Sequence, residues 1–323
     1  IDVTGRVLRT VDLWLLAALL ALMTLGLMTL YSAGAETPKL VWAQGARFAF
    51  GLAAMWGLSR IPPTRLRHWS PMIYGISLLP LLAVLAVGQG KHGNHWINLG
   101  VFYFQPSEVI KLSLPMMMAW YLQRETLPPG FRTTVIGGGL IAIPLGLILL
   151  QPDFGTGMLV ASSGLFALFL AGLSWWWFGA AFAGVAAIAP VAWFWLLRQY
   201  QKDRILTFLN PESDPLGTGW NIIQSKIAIG AGGLTGKGWG QGSQSHLDYL
   251  PEHTTDFAFA VLSEEFGWIG VATMLTLYLV VIGRCMWIAA EARDGYSRLL
   301  AGSIGLSFFV YVIVNGGMIS GML

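Results

Sequence analysis

The stretch GKGWGQGSQSHLDYLPEHTTDFAFAVLSEEFG (236–267) joins a long polar loop to the beginning of an apolar helix pattern. The glycine-rich part ends at Asp256, and the helix pattern after it carries two more acids, Glu264 and Glu265. Charged side chains at the mouth of a membrane span or inside it are costly, so they indicate function by default. The stretch therefore predicts a functional site where the loop meets a membrane helix.

The composition of the chain is that of an integral membrane protein. Of its 323 residues, 55% are hydrophobic and only 11% are charged, and the mean hydropathy is +0.63. A water-soluble chain of this length needs far more charge to cover its surface. The net charge of +3 is small and scattered over short loops, so no nucleic-acid partner is expected. The single cysteine, Cys285, excludes an intramolecular disulfide.

Nine apolar segments approach the roughly 20 residues that a helix needs to cross a membrane. We predict an all-α, polytopic helical bundle forming one integral membrane domain over 1–323, with a large loop at 199–255. The spans are expected at 13–32, 43–59, 71–88, 107–122, 133–150, 156–172, 174–197, 256–283 and 297–321. Within the loop, 222–233 has helix-like apolar spacing ended by glycines, which could cap a helix in the interface plane.

Positive charge in the short loops predicts the orientation of the chain. With the N-terminus inside, the inner segments contain Arg6, Arg9, Arg60, Arg65, Arg67, Arg124, Arg132, Arg284, Arg293 and Arg298. The outer short loops contain only Lys39 and Lys91. We therefore expect a cytoplasmic N-terminus, an extracytoplasmic loop 199–255 and Asp256 at the outer face.

The segment QPSEVIK (105–111) places an acid and a base near the start of a span. Pro106 suits a first helical turn, where Gln105 or Ser107 could cap the helix. Glu108 and Lys111 are three residues apart, so they share a helix face and can pair. The pair is either a structural ion pair or a phosphate-facing cation held in place by its own carboxylate.

Three other polar residues have more than one interpretation. Arg47 either extends to the outer interface or faces an anionic cavity. Asp153, in a tight outer turn, is expected to cap the helix that follows it. Asp256 could also cap a helix, although Thr255 could do so equally well.

The remaining acids and loop residues give a weaker signal. On an ideal helix Glu264 lies about 80° and Glu265 about 180° around from Asp256, so the three acids cannot form one cluster. One glutamate is expected to contact a neighbouring helix near Gly267. The loop histidines fit no zinc spacing, and solvation is expected for Arg204, Lys226, Lys237, His246, Asp248, Glu252 and His253. The residues together predict an outward-facing polar cavity for an anionic, membrane-associated substrate.

Four segments of the chain resemble the SEDS family (shape, elongation, division and sporulation), and its rod-shape branch in particular. They are QPSEVIK (105–111), QPDFGTG (151–157), the block 210–267 and VYVIVNGGMISGML (310–323). The resemblance implies a multi-pass protein of the bacterial cytoplasmic membrane, normally with ten spans. The family continues into a Pro-Leu-Pro and Ser-Tyr-Gly-Gly region, so we expect its tenth span to be missing from this chain.

The resemblance implies a peptidoglycan glycosyltransferase that polymerises lipid II during cell-wall elongation. This reaction transfers a glycan from a lipid pyrophosphate to the 4-hydroxyl of another lipid-linked sugar, which needs a base and positive charge near the leaving group. Asp256 matches the family's essential aspartate, and we assign it as the general base. The candidates for binding the pyrophosphate are Lys111, oriented by Glu108, and also Arg47, Arg204 and Lys226.

The implied partners are a class B penicillin-binding protein, lipid II, the growing glycan strand and membrane lipid. No cofactor is certain, although a divalent cation (Mg or Mn) could share the pyrophosphate role. Two other hypotheses stay open: a lipid II flippase, and a non-catalytic membrane scaffold for the penicillin-binding protein. Polymer formation in detergent, where sidedness is absent, would favour the enzyme.

Overall fold

The computed structural model describes residues 11–34, 37–88, 95–98, 100, 103–151, 153–196, 199, 202, 206, 220–242, 255 and 257–321. The helices are α1 Leu13–Ala33, α2 Pro38–Ser59, α3 Pro63–Val87, α4 Pro106–Leu122, α5 Phe131–Leu149, α6 Phe154–Leu170, α7 Trp175–Val191, α8 Trp220–Gly232, α9 Ala258–Glu291 and α10 Gly295–Ser320. Helix α7 continues into a π-helical turn, Ala192–Leu196. Strands β1 (Ile97–Asn98) and β2 (Tyr103–Phe104) form an antiparallel pair.

Each of the nine predicted spans coincides with a helix, so the all-α, polytopic architecture is confirmed. By length and composition, the described residues form six helices able to cross a membrane: α1, α3, α5, α9, α10, and α7 with its π-helical turn. Helices α4 and α6 have 17 residues each, about 25 Å at 1.5 Å per residue. The helix predicted at 222–233 is present as α8.

The chain divides into two compact units. Unit 1 consists of Ile1–Ser59, Ala180–Val281 and Val312–Leu323, and unit 2 consists of Arg60–Gly179 and Ile282–Tyr311. A single membrane domain over 1–323 stays a prediction.

The core of unit 2 is formed by side chains of α3, α4, α5 and α6 and of the first turns of α10. Its fully buried members include Leu81, Ile110, Leu114, Ile148 and Val160. Small residues let α5 and α6 approach closely, because a Cβ on Gly164 would overlap the side chain of Ile141.

A proline in α5 explains a hydrogen bond across this core. Pro144 lies inside α5 and has no N–H, so the carbonyl of Leu140 four residues earlier loses its helical partner. The hydroxyl of Tyr74, on α3, donates to that carbonyl at 2.7 Å. A backbone group freed at membrane depth is thus satisfied by a neighbouring helix.

In unit 1, the loop helix α8 packs on the beginning of α9 and the end of α10. Ala228, Phe257, Ala260 and Ile319 form a buried apolar cluster. The hydroxyl of Ser225, on α8, donates to the carbonyl of Ile319 at 2.7 Å. These contacts hold the polypeptide on either side of the long polar segment, which ends one residue before Phe257.

Helix α9 is broken at Gly267, whose φ of 61° and ψ of −157° lie outside the helical region. In an unbroken helix the amides of Trp268 and Ile269 would donate to the carbonyls of Glu264 and Glu265. The break separates these two donors from these two acceptors, and it leaves all four backbone groups needing partners.

The glycine-rich loop after α8 supplies those partners. The amides of Lys237 and Gly238 donate to the carbonyls of Glu264 and Glu265, at 3.0 Å each. The amides of Trp268 and Ile269 donate to the carbonyls of Gly233 and Leu234, at 2.9 and 3.2 Å. A Cβ on Gly236, which has a φ of 80°, would overlap the Glu265 carbonyl, so the close approach requires glycine there.

Candidate functional site

The first turns of α4 hold a paired cation in unit 2. The Nζ of Lys111 lies 2.6 Å from Oε1 of Glu108, so the predicted pair is confirmed. The Lys111 side chain is 18% exposed, whereas that of Glu108 is 56% exposed. The lysine is therefore mostly enclosed, and its carboxylate partner is exposed.

An aromatic side chain also contacts this cation. The Nζ of Lys111 lies 4.8 Å from the ring centroid of Tyr311, on α10, which is a cation–π contact. Sequence reasoning did not assign Tyr311 to the site. The available signal was a phenol within an apolar span, inside a segment that carries the family resemblance.

Two polar side chains connect the beginning of α4 to the beginning of α6. Asp153 is the N-cap of α6, and its Oδ1 accepts from the Thr156 amide at 3.1 Å, so the predicted cap is confirmed. Gln105 is the N-cap residue of α4, but its Nε2 donates to Oδ2 of Asp153 at 3.4 Å instead of capping its own helix. Both helices thus begin at one polar locus with Lys111 close by.

The positive features of this locus are two helix N-terminal ends and the ammonium of Lys111, and the locus also contains the carboxylates of Glu108 and Asp153. The N-terminal end of a helix has unpaired backbone N–H groups and a partial positive charge. The ammonium of Lys111 adds a full charge one turn into α4. Glu108 and Tyr311 contact that ammonium on two sides, and the lysine side chain keeps a minor part of its surface exposed.

The structure leaves the other predicted substrate-binding residues untested. Arg47, on α2, is exposed and its Nη1 donates to Oε1 of Gln44 at 3.0 Å. Lys226, on α8, is exposed, and the end of its side chain lies against Gly321. Asp256 and Arg204 lie outside the described residues.

The two glutamates of α9 have structural contacts in unit 1. The side-chain hydroxyl of Ser32, on α1, donates to the buried carboxylate of Glu265, so the predicted contact with a neighbouring helix is confirmed. Glu264 is fully buried, and its Oε1 lies 2.6 Å from the Nζ of Lys237. The expectation that Lys237 is simply solvated was wrong, because the loop's backbone bonds to α9 carry its side chain to a buried carboxylate.

The loop is also attached to α1. The indole Nε1 of Trp239 donates to the carbonyl of Met28 at 3.0 Å, and its ring lies 5.8 Å from that of Tyr31. Among the described residues, no three His, Cys, Asp or Glu side chains are grouped closely enough to hold a metal ion. The beginning of α9 is thus fixed by α1, by α8 and by the glycine-rich loop.

Comparisons with known proteins identify the family of this chain. The model of the cell cycle protein family FtsW/RodA/SpoVE matches residues 7–323. Peptidoglycan glycosyltransferase MrdB of Escherichia coli (strain K12) is 46% identical over 313 residues, covering 97% of this chain and 85% of that protein. Stage V sporulation protein E of Bacillus subtilis (strain 168) is 34% identical over 325 residues, covering 97% and 88%.

Solved structures agree with these sequence relationships. A chain from a study of how a peptidoglycan synthase complex coordinates polymerization and crosslinking superposes with a TM-score of 0.84 at 30% identity, covering 96% of this chain and 87% of that chain. The Thermus thermophilus rod shape determining protein RodA superposes with a TM-score of 0.70 at 27% identity, covering 95% and 84%. The chain therefore belongs to the FtsW/RodA/SpoVE family, as the four sequence segments indicated.

Proposed function

We propose that this protein is a peptidoglycan glycosyltransferase that polymerises lipid II into glycan strands. The observation that carries this proposal is its 46% identity with peptidoglycan glycosyltransferase MrdB over 97% of the chain. Several apolar helices long enough to cross a membrane suit an enzyme whose substrate and product are anchored to lipid.

The reaction forms one glycosidic bond and breaks the bond between a sugar and its lipid pyrophosphate. The 4-hydroxyl oxygen of the acceptor sugar attacks the anomeric carbon of the donor, and the bond from that carbon to the lipid pyrophosphate breaks. The hydroxyl proton passes to a base, and the pyrophosphate leaves with the bonding electrons. We assign Asp256 as the base, because it matches the family's essential aspartate and base catalysis contributes about 10²- to 10⁴-fold.

Lys111 is our candidate for the cation that stabilises the leaving pyrophosphate. Its ammonium is positioned by Glu108 at 2.6 Å and by the Tyr311 ring at 4.8 Å. A preorganised charge of this kind stabilises developing negative charge without rearranging during the reaction. Arg47, Arg204 and Lys226 are further candidates for the same role.

A divalent cation, Mg or Mn, would share this role where it is bound. Mg²⁺ is commonly held by one or two carboxylates together with substrate phosphates. The half-exposed carboxylate of Glu108, next to Lys111, is the group of this locus that could contribute such a ligand.

We also infer the surroundings in which this enzyme works. A class B penicillin-binding protein is the proposed partner, supported by the likeness to a chain from a peptidoglycan synthase complex. The positive charge of the short loops supports a cytoplasmic N-terminus and an active site on the outer face of the bacterial cytoplasmic membrane.

The test is to incubate the purified protein with lipid II in detergent, with and without the penicillin-binding partner, and to separate the products on a gel. Glycan polymer that requires this protein supports the enzyme. A lipid II flippase would give no polymer, because moving a lipid across a bilayer forms no glycosidic bond. A scaffold would give no polymer of its own, and variants of its polar residues would keep full function in the assembled complex.

A further inference from the structure

A polar cavity lies at the opposite end of α4 from Lys111. It has a volume of about 540 Å³ and is lined by Thr64, Arg67, His68, Trp120, Gln123 and Arg124. The first three residues lie in the first turns of α3, and the last three lie at the end of α4 and in the turn that follows it. Both sets have the spacing i, i+3, i+4, which places their side chains side by side.

The charge of this cavity is positive. Two arginines and a histidine line it, and none of its lining residues is a carboxylate. The ion pairs of Lys111 and Lys237 do not involve the cavity. Two guanidinium groups within one cavity repel each other unless an anion lies between them.

Trp120 orients one of these arginines. The guanidinium carbon of Arg124 lies 4.0 Å from the centroid of the Trp120 ring. A guanidinium stacked on an aromatic face keeps its in-plane N–H donors available, and the planar fork suits two oxygens of a phosphate. The indole is also typical of the membrane interface, where one side of a ring faces lipid and the other faces head groups.

We infer that this cavity binds the phosphate of an anionic membrane lipid. The cavity volume lies in the range that encloses small ligands and suffices for a phosphodiester head group. The positive-inside pattern predicts that this end of α3 and α4 faces the cytoplasm, where anionic lipids attract clustered arginines. The inference rests on the cavity and on the positive-inside pattern, and it does not depend on glycosyl transfer.

The test uses the purified full chain in neutral detergent and follows thermal unfolding during three titrations. The ligands are phosphatidylglycerol, phosphatidylcholine and inorganic phosphate. We expect saturable stabilisation by phosphatidylglycerol only. Stabilisation by inorganic phosphate at the same concentrations would overturn the assignment to a lipid.

Matched variants locate the site. Removing both cavity arginines, in Arg67→Gln/Arg124→Gln, should weaken phosphatidylglycerol binding roughly 30-fold, given the usual contribution of an arginine near an anionic surface. The control Arg65→Gln/Arg132→Gln removes the same charge from exposed positions that do not line the cavity. If the control weakened phosphatidylglycerol binding equally, general surface charge would explain the effect and the inference would be overturned.

Discussion

The Nζ of Lys237 lies 2.6 Å from Oε1 of Glu264, and the glutamate is completely buried. Removing one partner of a buried ion pair is strongly destabilising. Since Lys237 is one-third exposed, we expect Lys237→Met to lower the free energy of unfolding by up to about 3 kcal/mol. Thermal unfolding in detergent measures this loss.

The matched control for that variant is Lys39→Met, which removes an exposed lysine from the same unit. The double variant Lys237→Met/Glu264→Gln should recover part of the loss, because the buried group is then neutral. A Lys237→Met protein as stable as the Lys39→Met protein would contradict the interpretation.

Removing the Tyr74 hydroxyl should destabilise unit 2. Tyr74→Phe leaves the carbonyl of Leu140 without a donor, at a cost of about 1–2 kcal/mol. The background Pro144→Ala tests the cause, because alanine restores the N–H that Leu140 lacks. In the Pro144→Ala background, Tyr74→Phe should lower the free energy of unfolding by clearly less. An equal loss in both backgrounds would contradict the explanation.

Gly267 should tolerate no side chain. Gly267→Ala places a Cβ at a φ of 61°, against the backbone of the loop at Leu234 and Gly236. We expect a loss of about 1–3 kcal/mol from the backbone strain alone. Gly283→Ala, in the same helix with no atom within 4 Å of the added Cβ, should be neutral or stabilising. The unfolding temperatures of the two variants provide the measurement. Equal values would contradict a requirement for glycine at the break in α9.

Loss of the proposed base should abolish catalysis without loss of the fold. Asp256→Asn should fold and bind its penicillin-binding partner, but form glycan polymer from lipid II about 10²- to 10⁴-fold more slowly. Polymer at the wild-type rate would remove Asp256 from the mechanism. Unfolding temperature and partner binding, measured on the same preparation, establish that the variant is intact.

Replacing Lys111, the lysine of the proposed pyrophosphate site, should lower the affinity of the protein for lipid II. Lys111→Met should weaken binding of lipid II, whereas Lys111→Arg keeps the charge and should retain part of the affinity. Direct binding of labelled lipid II to detergent-solubilised protein provides the measurement. Unchanged affinity in Lys111→Met would leave Lys111 and Glu108 as a structural pair.

The sequence predicted the helices well because apolar length is a strong signal for membrane spans. The ends of the helices were less accurate. The eighth span was expected to end at 283, but α9 continues to Glu291, because a charge such as Arg284 ends an apolar run without ending a helix. The beginning of α2 was placed five residues too late, where Pro38 at the first turn was passed over.

The local polar contacts were predictable only where they depend on helix spacing. The pair of Glu108 and Lys111 and the cap by Asp153 lie within three residues along the chain, so spacing suffices. Tyr311 and Lys237 reach their partners through tertiary packing, which no single segment encodes. The break at Gly267 leaves the apolar pattern of α9 uninterrupted, so the hydropathy gave no sign of it.

The attachment of the glycine-rich loop to α9 is made largely by main-chain atoms. Exchanging the side chain of Leu234 or Thr235 therefore leaves these bonds intact, and an alanine scan of 234–240 should find only these two positions tolerant. The anchorage of this loop therefore depends on two kinds of position: glycines, where a side chain must be absent, and Lys237 and Trp239, whose side chains reach α9 and α1.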